Sequence, residues 1–349
     1  MFYLILHLKE KSDKFLCKRL HKRGGKVRTI KEVAQQANVS VATVSRVINK
    51  SGYVKEATRK RIEQVIEELD YYPNETARTL FTKKSKTIGL LLPDMSNPFF
   101  TIVAKGVEDT AIQKGYHIMI GNGEMQEHKE LNYLTTFKVN NCSGVIASQL
   151  STQFAFDQFN SYQLPYVLID RVTDNQQCIE ADHYKGGKLQ AETIIKGNAQ
   201  RVLLLHQDLN YRSFEERFNG ARTTLKNHDI QLWIENEHDI TIDKLKAYVN
   251  QNHIDSVVCS NDVSALKIMK WLHDLHFHIP DDVQVIGYDD IPLAKLFYPS
   301  LTTIEQPAYE IGKQAALGLI NQLEHNDVTT KVVLDVDVIH RESTRRKKK

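Results

Sequence analysis

The sequence has little cysteine and no long apolar run. Its four cysteines, Cys17, Cys142, Cys178 and Cys259, are scattered and form no Cys-x-x-Cys pair. Scattered thiols are typical of proteins kept reduced in a cytoplasm, and they argue against a disulfide framework. The apolar stretch at residues 1–8 is too short to span a bilayer, and it precedes its basic residues, the reverse of a signal peptide. We therefore expect a cytoplasmic protein without a membrane segment.

The motifs of nucleotide-dependent enzymes are also missing. Gly121-Asn122-Gly123 lacks the third glycine of a dinucleotide-binding fingerprint, and the sequence contains no P-loop. Gly186-Gly187 lies near the start of a predicted helix, where it favours close packing between elements. We expect a protein that is not an enzyme and that needs no cofactor.

What the sequence does have is an uneven distribution of charge along a chain long enough for more than one domain. Residues 1–27 carry eight Lys/Arg against two Asp/Glu, or +6, and residues 28–83 carry ten against seven, or +3. Because the whole chain is +3, residues 84–349 sum to −6. A basic front on an acidic body indicates that only the front meets a polyanion, although a solvated basic face would carry the same charge.

Three short amphipathic helices are predicted between residues 28 and 71. Their apolar stripes, at helical spacing, are Ile30, Val33, Ala34 and Ala37, then Val44, Val47 and Ile48, then Ile62, Val65, Ile66 and Leu69. Thr29 and Ser40 are the expected N-caps of the first two helices. Only Asn38-Val39-Ser40 connects these two helices, and Asn38 tolerates the left-handed conformation that such a turn needs. So short a connection predicts a helix-turn-helix.

The outward face of the second helix is predicted to consist of Val41, Ala42, Ser45 and Arg46. Short side chains around one arginine form a surface that can enter a major groove about 12 Å wide. A face built for solubility alone would carry more Glu and Lys. A plain three-helix bundle stays open as the alternative to a DNA-binding unit.

These segments resemble the DNA-binding head of the LacI/GalR family. The matching residues are TIKEVA at 29–34, VSVATVSRVIN at 39–49, YYPN at 71–74 and ARTL at 77–80. The resemblance implies a transcriptional repressor that binds pseudo-palindromic operator DNA as a homodimer. It implies that Val41, Ala42 and Arg46 read base edges, while Thr43 and Ser45 lie nearer the phosphates. The remaining residues assigned to the DNA interface are Thr29, Asn49, Asn74, Ala77, Arg78 and Leu80.

Residues 74–85 are interpreted as a hinge helix and linker. Asn74 is a good N-cap, Ala77 and Leu80 share a face at i, i+3, and a helix this short is marginal alone in water. The family resemblance implies that two such helices order together in the minor groove, where a leucine, here Leu80, wedges open a base step. The alternative is that Leu80 packs on the core.

The body of the chain alternates strand-like and helical patterns. Apolar runs recur about every thirty residues, which is typical of βαβ units and of parallel, doubly wound sheets. The predicted strands are 88–92, 117–120, 145–147, 166–169, 202–205, 256–259 and 283–286, with helices such as 100–114 and 263–275 between them. Some 260 residues exceed one core, so we expect an α/β core of two such subdomains, like a periplasmic binding protein, with a ligand cleft between them.

Polar and aromatic residues follow several of the predicted strands, where ligands of open α/β sheets bind. Sugars need donors and acceptors for their hydroxyls and an aromatic plane for their C–H faces. The body resembles the sensor core of the same family and the periplasmic ribose-binding proteins, and it matches ribose contacts there at nine positions. These are Asn97, Phe99, Phe100, Asp170, Arg171, Arg217, Asn261, Asp289 and Gln306. Taken singly, Asp170 has the alternative of a loop cap and Arg217 that of a surface ion pair.

One aromatic residue of the family pattern, after the strand around 232–234, has no clear equivalent, and His238 is the nearest candidate. His273, His276 and His278 suggest a metal site at first sight. By alignment with the family they cover a helix end and the turn before Pro280, with His276 where a C-cap glycine is usual. We therefore predict no metal site.

The resemblance implies a small neutral sugar, ribose, as the effector, and two carboxylates in the cleft would repel a sugar phosphate. Arg171 and Arg217 keep a sugar phosphate open, and sucrose or another carbohydrate is a further alternative. So is a carbon-catabolite regulator controlled by a partner protein. A sugar kinase fused to a DNA-binding head would need a phosphate loop and a catalytic carboxylate, and often a cysteine zinc site, and the phosphate loop and clustered cysteines are missing.

The expected boundaries are an N-terminal extension at 1–27, the head at 28–73, the hinge at 74–85, the core at 86–343 and a basic tail at 344–349. Arg23-Gly24-Gly25 is what a purine-rich ribosome-binding site encodes when read as protein, and a GTG codon for Val27 would serve as a start. We hypothesise that residues 1–26 are not translated. The alternative is a basic arm that adds phosphate contacts.

Overall fold

The computed structural model describes residues 28–49, 51–72, 85–148, 150–170, 178–325 and 331–346. The chain divides into two compact units, with the division between Lys83 and Lys84. The first unit is the head and the second is the core.

The head is a bundle of three helices, as the apolar spacing predicts. The helices are α1 (Ile30–Gln36), α2 (Val41–Ile48) and α3 (Glu56–Glu68). Thr29 caps α1 in a reciprocal capping box with Glu32, and the hydroxyl of Ser40 caps α2, so both predicted N-caps are confirmed. Asn38, in the turn between them, has a φ of 49°, which confirms the left-handed turn. The helices enclose a small core built around Val33, Val44, Ile62 and Val65, with neighbouring apolar residues.

The core contains two parallel sheets. The strands of the first sheet are β1 (Thr87–Leu92), β2 (His117–Asn122), β3 (Gly144–Ser148), β4 (Tyr166–Ile169), β5 (Cys178–Ala181) and β11 (Val332–Leu334). Those of the second are β6 (Arg201–His206), β7 (Gln231–Asn236), β8 (Ser256–Val258) and β9 (Gln284–Ile286). The order of the strands is β11-β5-β4-β3-β1-β2 in the first sheet and β7-β6-β8-β9 in the second. A short antiparallel pair, β10 (Thr303–Glu305) and β12 (Asp337–Ile339), completes the strands.

Helices separate most of these strands. They are α4 (Pro98–Gln113), α5 (Glu127–Val139), α6 (Gln153–Ser161), α7 (His183–Lys196), α8 (Arg212–Lys226), α9 (Ile242–Asn252), α10 (Asp262–Asp274) and α11 (Ala308–His325), with a 3₁₀ turn at Pro292–Lys295. Helix α11 packs on α4 and on strands β3, β4 and β5, although it follows the second sheet in the sequence. The chain therefore passes between the two halves of the core near residues 182, 306 and 335, and residues at these passages can contact both halves.

The structure explains two sequence features that were not assigned to a binding site, His276 and Gly187. His276 has a φ of 63°, which confirms that it stands at a helix end where glycine is usual. A Cβ on Gly187 would lie 1.9 Å from the carbonyl oxygen of Arg217, so the glycine lets α7 pack against α8, as predicted.

Within the described ranges, no helix combines the length and apolar character needed to cross a membrane. The same part of the chain contains no group of three or more His, Cys, Asp or Glu that could hold a metal ion.

Candidate functional site

The candidate DNA-reading surface of the head is the outer face of α2. Its exposed residues are Val41, Ala42, Arg46 and Asn49. Thr43 and Ser45 are half-buried and hydrogen-bonded: the amide of Thr43 donates to Ser40 Oγ at 3.1 Å, and Asn49 Nδ2 donates to Ser45 Oγ at 3.1 Å. The helix therefore presents small side chains beside one guanidinium, and its polar neighbours fix its first and last turns. Contact of these residues with DNA stays a prediction.

The candidate ligand site of the core is a cavity of about 320 Å³. Eight of the nine predicted ligand contacts line it, namely Asn97, Phe99, Phe100, Asp170, Arg217, Asn261, Asp289 and Gln306. Several of these residues come at or just beyond the carboxyl ends of parallel strands: Asp170 directly follows β4, and Asn261 and Asp289 come three residues after β8 and β9. This is where ligands of open parallel sheets bind.

Five predicted residues lie outside the described part of the chain. They are Asn74, Ala77, Arg78 and Leu80 of the hinge and Arg171 of the ligand set. Residues 1–27 also lie outside it. The roles assigned to them stay predictions.

Asp289 is the centre of one polar cluster in the cavity wall. Its carboxylate accepts from Gln306 Nε2 at 2.6 Å and from Asn97 Nδ2 at 3.4 Å. Asn97 also caps α4, because its Oδ1 accepts from the amide of Phe99 at 3.0 Å. The start of α4, the loop after β9 and the end of β10 therefore converge on one carboxylate.

Burial raises the pKa of Asp289 to about 6, and the positive charge of Arg217 opposes this rise. Behind the cavity, Asp262 is fully buried and accepts from the amide of Ile291 at 2.8 Å and from Thr303 Oγ1 at 2.5 Å. The pKa of Asp262 is also raised, first by burial and then by the charge of Asp289. The Asp289 side of the cavity therefore changes charge in mildly acidic solution.

Arg217 is the centre of a second polar cluster. It is 5% exposed, so the alternative of a surface ion pair is wrong. One of its Nη atoms donates to the carbonyl oxygen of Ser260, and the other lies 3.3 Å from Nδ1 of His183. Its Cζ lies 3.5 Å from the centre of the Tyr288 ring. On its other side, His183 approaches Asp170, with Nε2 2.7 Å from Oδ1.

Two backbone conformations at the site are unusual. Asp170 has a φ of 59° and Asp289 a φ of 121°, a region that L-residues rarely adopt. Such conformations cost on the order of 1–3 kcal/mol and cluster at functional sites. The fold thus holds Asp289 in a conformation that Asp rarely adopts, whereas the left-handed conformation of Asp170 is one that Asp tolerates.

Aromatic side chains cover part of the cavity wall. The rings of Phe99 and Phe100 meet edge to face, with centroids 5.0 Å apart. Phe214 also lines the cavity and was not predicted, although it lies three residues before Arg217 on the same face of α8. His238 lines the cavity too, so both it and Phe214 are candidates for the further aromatic position of the family pattern.

The cavity also has polar lining residues that the sequence argument missed. Glu237 accepts from Gln207 Nε2 at 2.5 Å and from the hydroxyl of Ser260. Gln207 directly follows β6 and Glu237 directly follows β7, so the strand-end rule would have identified both. Lys267, on α10, adds a cation to the lining.

Both parts of the chain match known families. Residues 29–74 match the bacterial regulatory proteins of the lacI family, and residues 191–344 match the periplasmic binding protein-like domain. The ribose operon repressor of Bacillus subtilis (strain 168) is 38% identical over 325 residues, which cover 91% of this chain and 99% of that protein.

Solved structures agree with these matches. The periplasmic binding protein/LacI transcriptional regulator from Alkaliphilus metalliredigens QYMF, complexed with D-xylulofuranose, is 28% identical, with a TM-score of 0.69 over 74% of this chain and 99% of that one. The lac repressor dimer bound to operator and the anti-inducer ONPF is similar in fold, at 23% identity and a TM-score of 0.82 over 92% of this chain and 100% of that one.

The predicted fold class, a helix-turn-helix head with an α/β core of two parallel-sheet subdomains, is confirmed by the sheets and by these matches. The resemblance inferred from the sequence is confirmed as well. With a family match across the head and a repressor relative aligned over nearly the whole of both chains, this chain belongs to the LacI family of bacterial regulatory proteins and is a DNA-binding repressor of that family.

Proposed function

We propose that this repressor binds pseudo-palindromic operator DNA as a homodimer, and that a small neutral sugar, ribose, controls its operator affinity from the core cavity. The observation that carries the proposal is the convergence of eight predicted residues, spread from Asn97 to Gln306, on one cavity. A twofold operator matches a twofold protein, because each head then reads one half-site.

A ligand with several hydroxyl groups suits the unpaired polar atoms of the lining residues. Gln306 Oε1 and Arg217 Nε are buried without a hydrogen-bond partner in the described part of the chain. A buried polar group left unpaired costs on the order of 1–3 kcal/mol. A sugar hydroxyl donates as well as accepts, so it can pair with the amide oxygen of Gln306 and with the N–H of Arg217. The phenyl rings of Phe99 and Phe100 suit the C–H faces of the same ligand.

The charges of the lining favour a neutral ligand. Among the lining residues in the described part of the chain, the carboxylates are Asp94, Asp170, Glu237 and Asp289, and the cations are Arg217 and Lys267. A phosphate group would add negative charge to a partly buried site that already holds more anions than cations. Arg171 follows Asp170 in the sequence and lies outside the described residues, and its positive charge is the reason that a sugar phosphate belongs in the test.

The choice of ribose rests on relatives. The Bacillus subtilis relative is a ribose operon repressor, and the Alkaliphilus metalliredigens structure holds a five-carbon sugar. The size of the cavity does not identify the sugar. A volume of about 320 Å³ falls in the range of small-molecule pockets and admits a monosaccharide with water or a disaccharide. A route for the control is closure of the two halves of the core around the sugar, which would alter the spacing of the two hinge segments at 74–85 in a dimer.

Calorimetry with ribose, sucrose and ribose 5-phosphate tests the proposal. We expect ribose to bind with measurable heat and the phosphate to bind weakly or not at all. Asp289→Ala serves as the control with a weakened site, since it removes one carboxylate from the cavity and should lower ribose affinity about tenfold. Clear binding of sucrose or of the phosphate, with no heat from ribose, would overturn the assignment of the effector.

Titration of a labelled operator at several salt concentrations tests the DNA part. Phosphate contacts release counterions, so log affinity should fall with log salt by about 0.9 per phosphate neutralised. A pseudo-palindromic site should bind much more tightly than a single half-site. Equal affinity for the two would contradict binding as a homodimer.

A further inference from the structure

His183 lies directly behind the cavity without belonging to its lining. It is the first residue of α7, after the N-cap Asp182, and it is 1% exposed. Its ring contacts two lining side chains that come from different halves of the core. Asp170 follows β4 of the first sheet, and Arg217 lies on α8, beside the second.

The partners of the ring indicate which of its two nitrogens donates and which accepts. His183 Nε2 lies 2.7 Å from Asp170 Oδ1, and an ionised carboxylate only accepts, so Nε2 carries the proton. Nδ1 lies 3.3 Å from Arg217 Nη2, and a guanidinium only donates, so Nδ1 is the acceptor. The hydroxyl of Tyr288 is also 3.3 Å from Nδ1 and can donate to it. The single lone pair of Nδ1 accepts from one of these two donors at a time, so the tautomer with its proton on Nε2 fits Asp170 together with either Arg217 or Tyr288.

The local fold keeps the ring in this position. The His183 and Tyr288 rings are stacked, with centroids 6.1 Å apart and planes at 28°. A Cβ on Gly186 would lie 2.2 Å from Tyr288 Oη, so only glycine at this place on α7 lets the phenol approach the imidazole. Arg217 lies over the Tyr288 ring, which fixes the guanidinium from a second direction.

We propose that His183 is a positioning residue of the effector site, which orients the Asp170 carboxylate and the Arg217 guanidinium toward the sugar through the two nitrogens of one ring. The proposal rests on the proposed function of the cavity. Since Asp170 and Arg217 belong to different halves of the core, the same ring makes the two contacts depend on each other.

Variants that retain only one of the two hydrogen-bonding groups of the ring distinguish this role from a merely structural one. In His183→Asn the amide oxygen replaces the Nδ1 acceptor, but the shorter side chain does not reach Asp170. In His183→Gln the amide nitrogen replaces the Nε2 donor, and the acceptor for Arg217 is lost. His183→Leu keeps the bulk and loses both. Thr193→Val is the matched control, because Thr193 is buried on the same helix and its hydroxyl donates within α7, to the carbonyl oxygen of Leu189.

Ribose affinity of the full chain, measured by calorimetry, is the readout. We expect His183→Asn and His183→Gln each to weaken ribose binding about threefold to tenfold, the effect of one hydrogen bond, and His183→Leu to weaken it more than either. Operator affinity without sugar should stay within about twofold of the parent in all variants, because the head is a separate unit. Thr193→Val should bind ribose like the parent.

A double-mutant cycle measures the coupling between the His183 and Asp170 substitutions, which a merely structural role of His183 would not produce. If His183 acts on the sugar by orienting Asp170, then His183→Asn should weaken ribose binding by less than about twofold in an Asp170→Asn background, where the carboxylate is already gone. Strictly additive losses in this cycle would overturn the proposal. So would parent-like ribose affinity of both His183→Asn and His183→Gln, whereas a parent that binds no ribose would overturn the proposed effector and this role with it.

Discussion

The head and the core carry their candidate sites in opposite ways. On the head, the candidate surface comes from one helix of eight residues, α2, and consists of small side chains left exposed around Arg46. In the core, the cavity is lined by residues from Pro93 to Gln306, and its most strongly bonded members are almost completely buried. A surface that reads a groove thus needs only local order in the sequence. A cavity that selects a small ligand needs most of the fold.

This difference has an energetic consequence. The head and the core are separate compact units, each with its own apolar interior. Substitutions in one unit should therefore leave the intrinsic binding of the other unchanged, and effects on the two activities should separate cleanly. The following substitutions test this separation, beginning with the largest expected effect.

Arg217→Ala should produce the largest change. The substitution removes a buried cation that bonds to Ser260 and His183 and that lines the cavity. Charge-assisted hydrogen bonds contribute about 1.5–3 kcal/mol each, so ribose affinity should fall at least about tenfold. Operator affinity without sugar should be unchanged. Arg222→Ala, on the same helix and outside the cavity lining, is the control, and equal losses in the two variants would contradict the assignment.

Arg46→Ala should have the largest effect on the head. Loss of one base-edge contact should cost roughly 1–3 kcal/mol of operator binding and relax the preference at one base pair of each half-site. Ribose affinity should not change. Lys60→Ala, on the exposed side of α3, should leave base preference intact. If both variants lower affinity without any change in preference, Arg46 contacts only phosphate.

Ribose affinity should depend on pH through Asp289, whose pKa is about 6 in the folded chain. The ionised carboxylate accepts hydroxyl hydrogen bonds, so affinity should be constant above neutrality and fall below about pH 6, by at most tenfold per pH unit for one proton. The raised pKa also means that ionisation of Asp289 destabilises the core as the pH rises from the ordinary value of 3.8 through 6. Asp289→Asn should flatten the affinity profile between pH 5 and pH 7, and a parent profile that is already flat would show that Asp289 does not accept from the sugar.

Ser40→Ala should have the smallest effect, and only on the head. The hydroxyl accepts from the amide of Thr43 at 3.1 Å at the start of α2, and loss of an N-cap costs about 1 kcal/mol. The head should unfold at lower denaturant concentration, while the unfolding of the core and its ribose affinity should not move. Ser51→Ala, in the loop after α2, is the control. Equal shifts for the two serines would contradict the capping role.

The same contrast explains how much was predictable from the sequence. The head was predictable almost entirely, because stripe spacing, N-caps and one left-handed asparagine are all local signals. In the core, the strands with continuous apolar runs were predicted, whereas β11 and β12 were missed, and so was β5. Its residue Glu180 is 4% exposed and forms an ion pair with Lys331 at 2.5 Å. A charge buried by a partner some 150 residues away breaks the apolar pattern that marks a strand.

The missed strand also hid part of the site. His183 follows β5 by two residues, so without that strand nothing marked it as lying at a carboxyl edge. Phe214 was overlooked for a different reason, since only the helical spacing to Arg217 connects it with the cavity. Sequence reasoning thus found eight residues of the lining. It missed His183 and Phe214 for the two reasons just given, and it overlooked Gln207 and Glu237, although both directly follow strands.

The most direct test measures the coupling between the two units from both sides. The affinity of a labelled operator is measured with and without saturating ribose, and the affinity for ribose is measured with and without operator, at one salt concentration. Thermodynamic linkage requires that ribose change the operator affinity by the same factor as the operator changes the ribose affinity. We expect this factor to be at least about fivefold in the parent chain. At a ribose concentration just sufficient to saturate the parent, we expect a smaller change of operator affinity in Arg217→Ala. Ribose that binds the parent tightly and leaves operator affinity unchanged would contradict a repressor controlled by a sugar in its core.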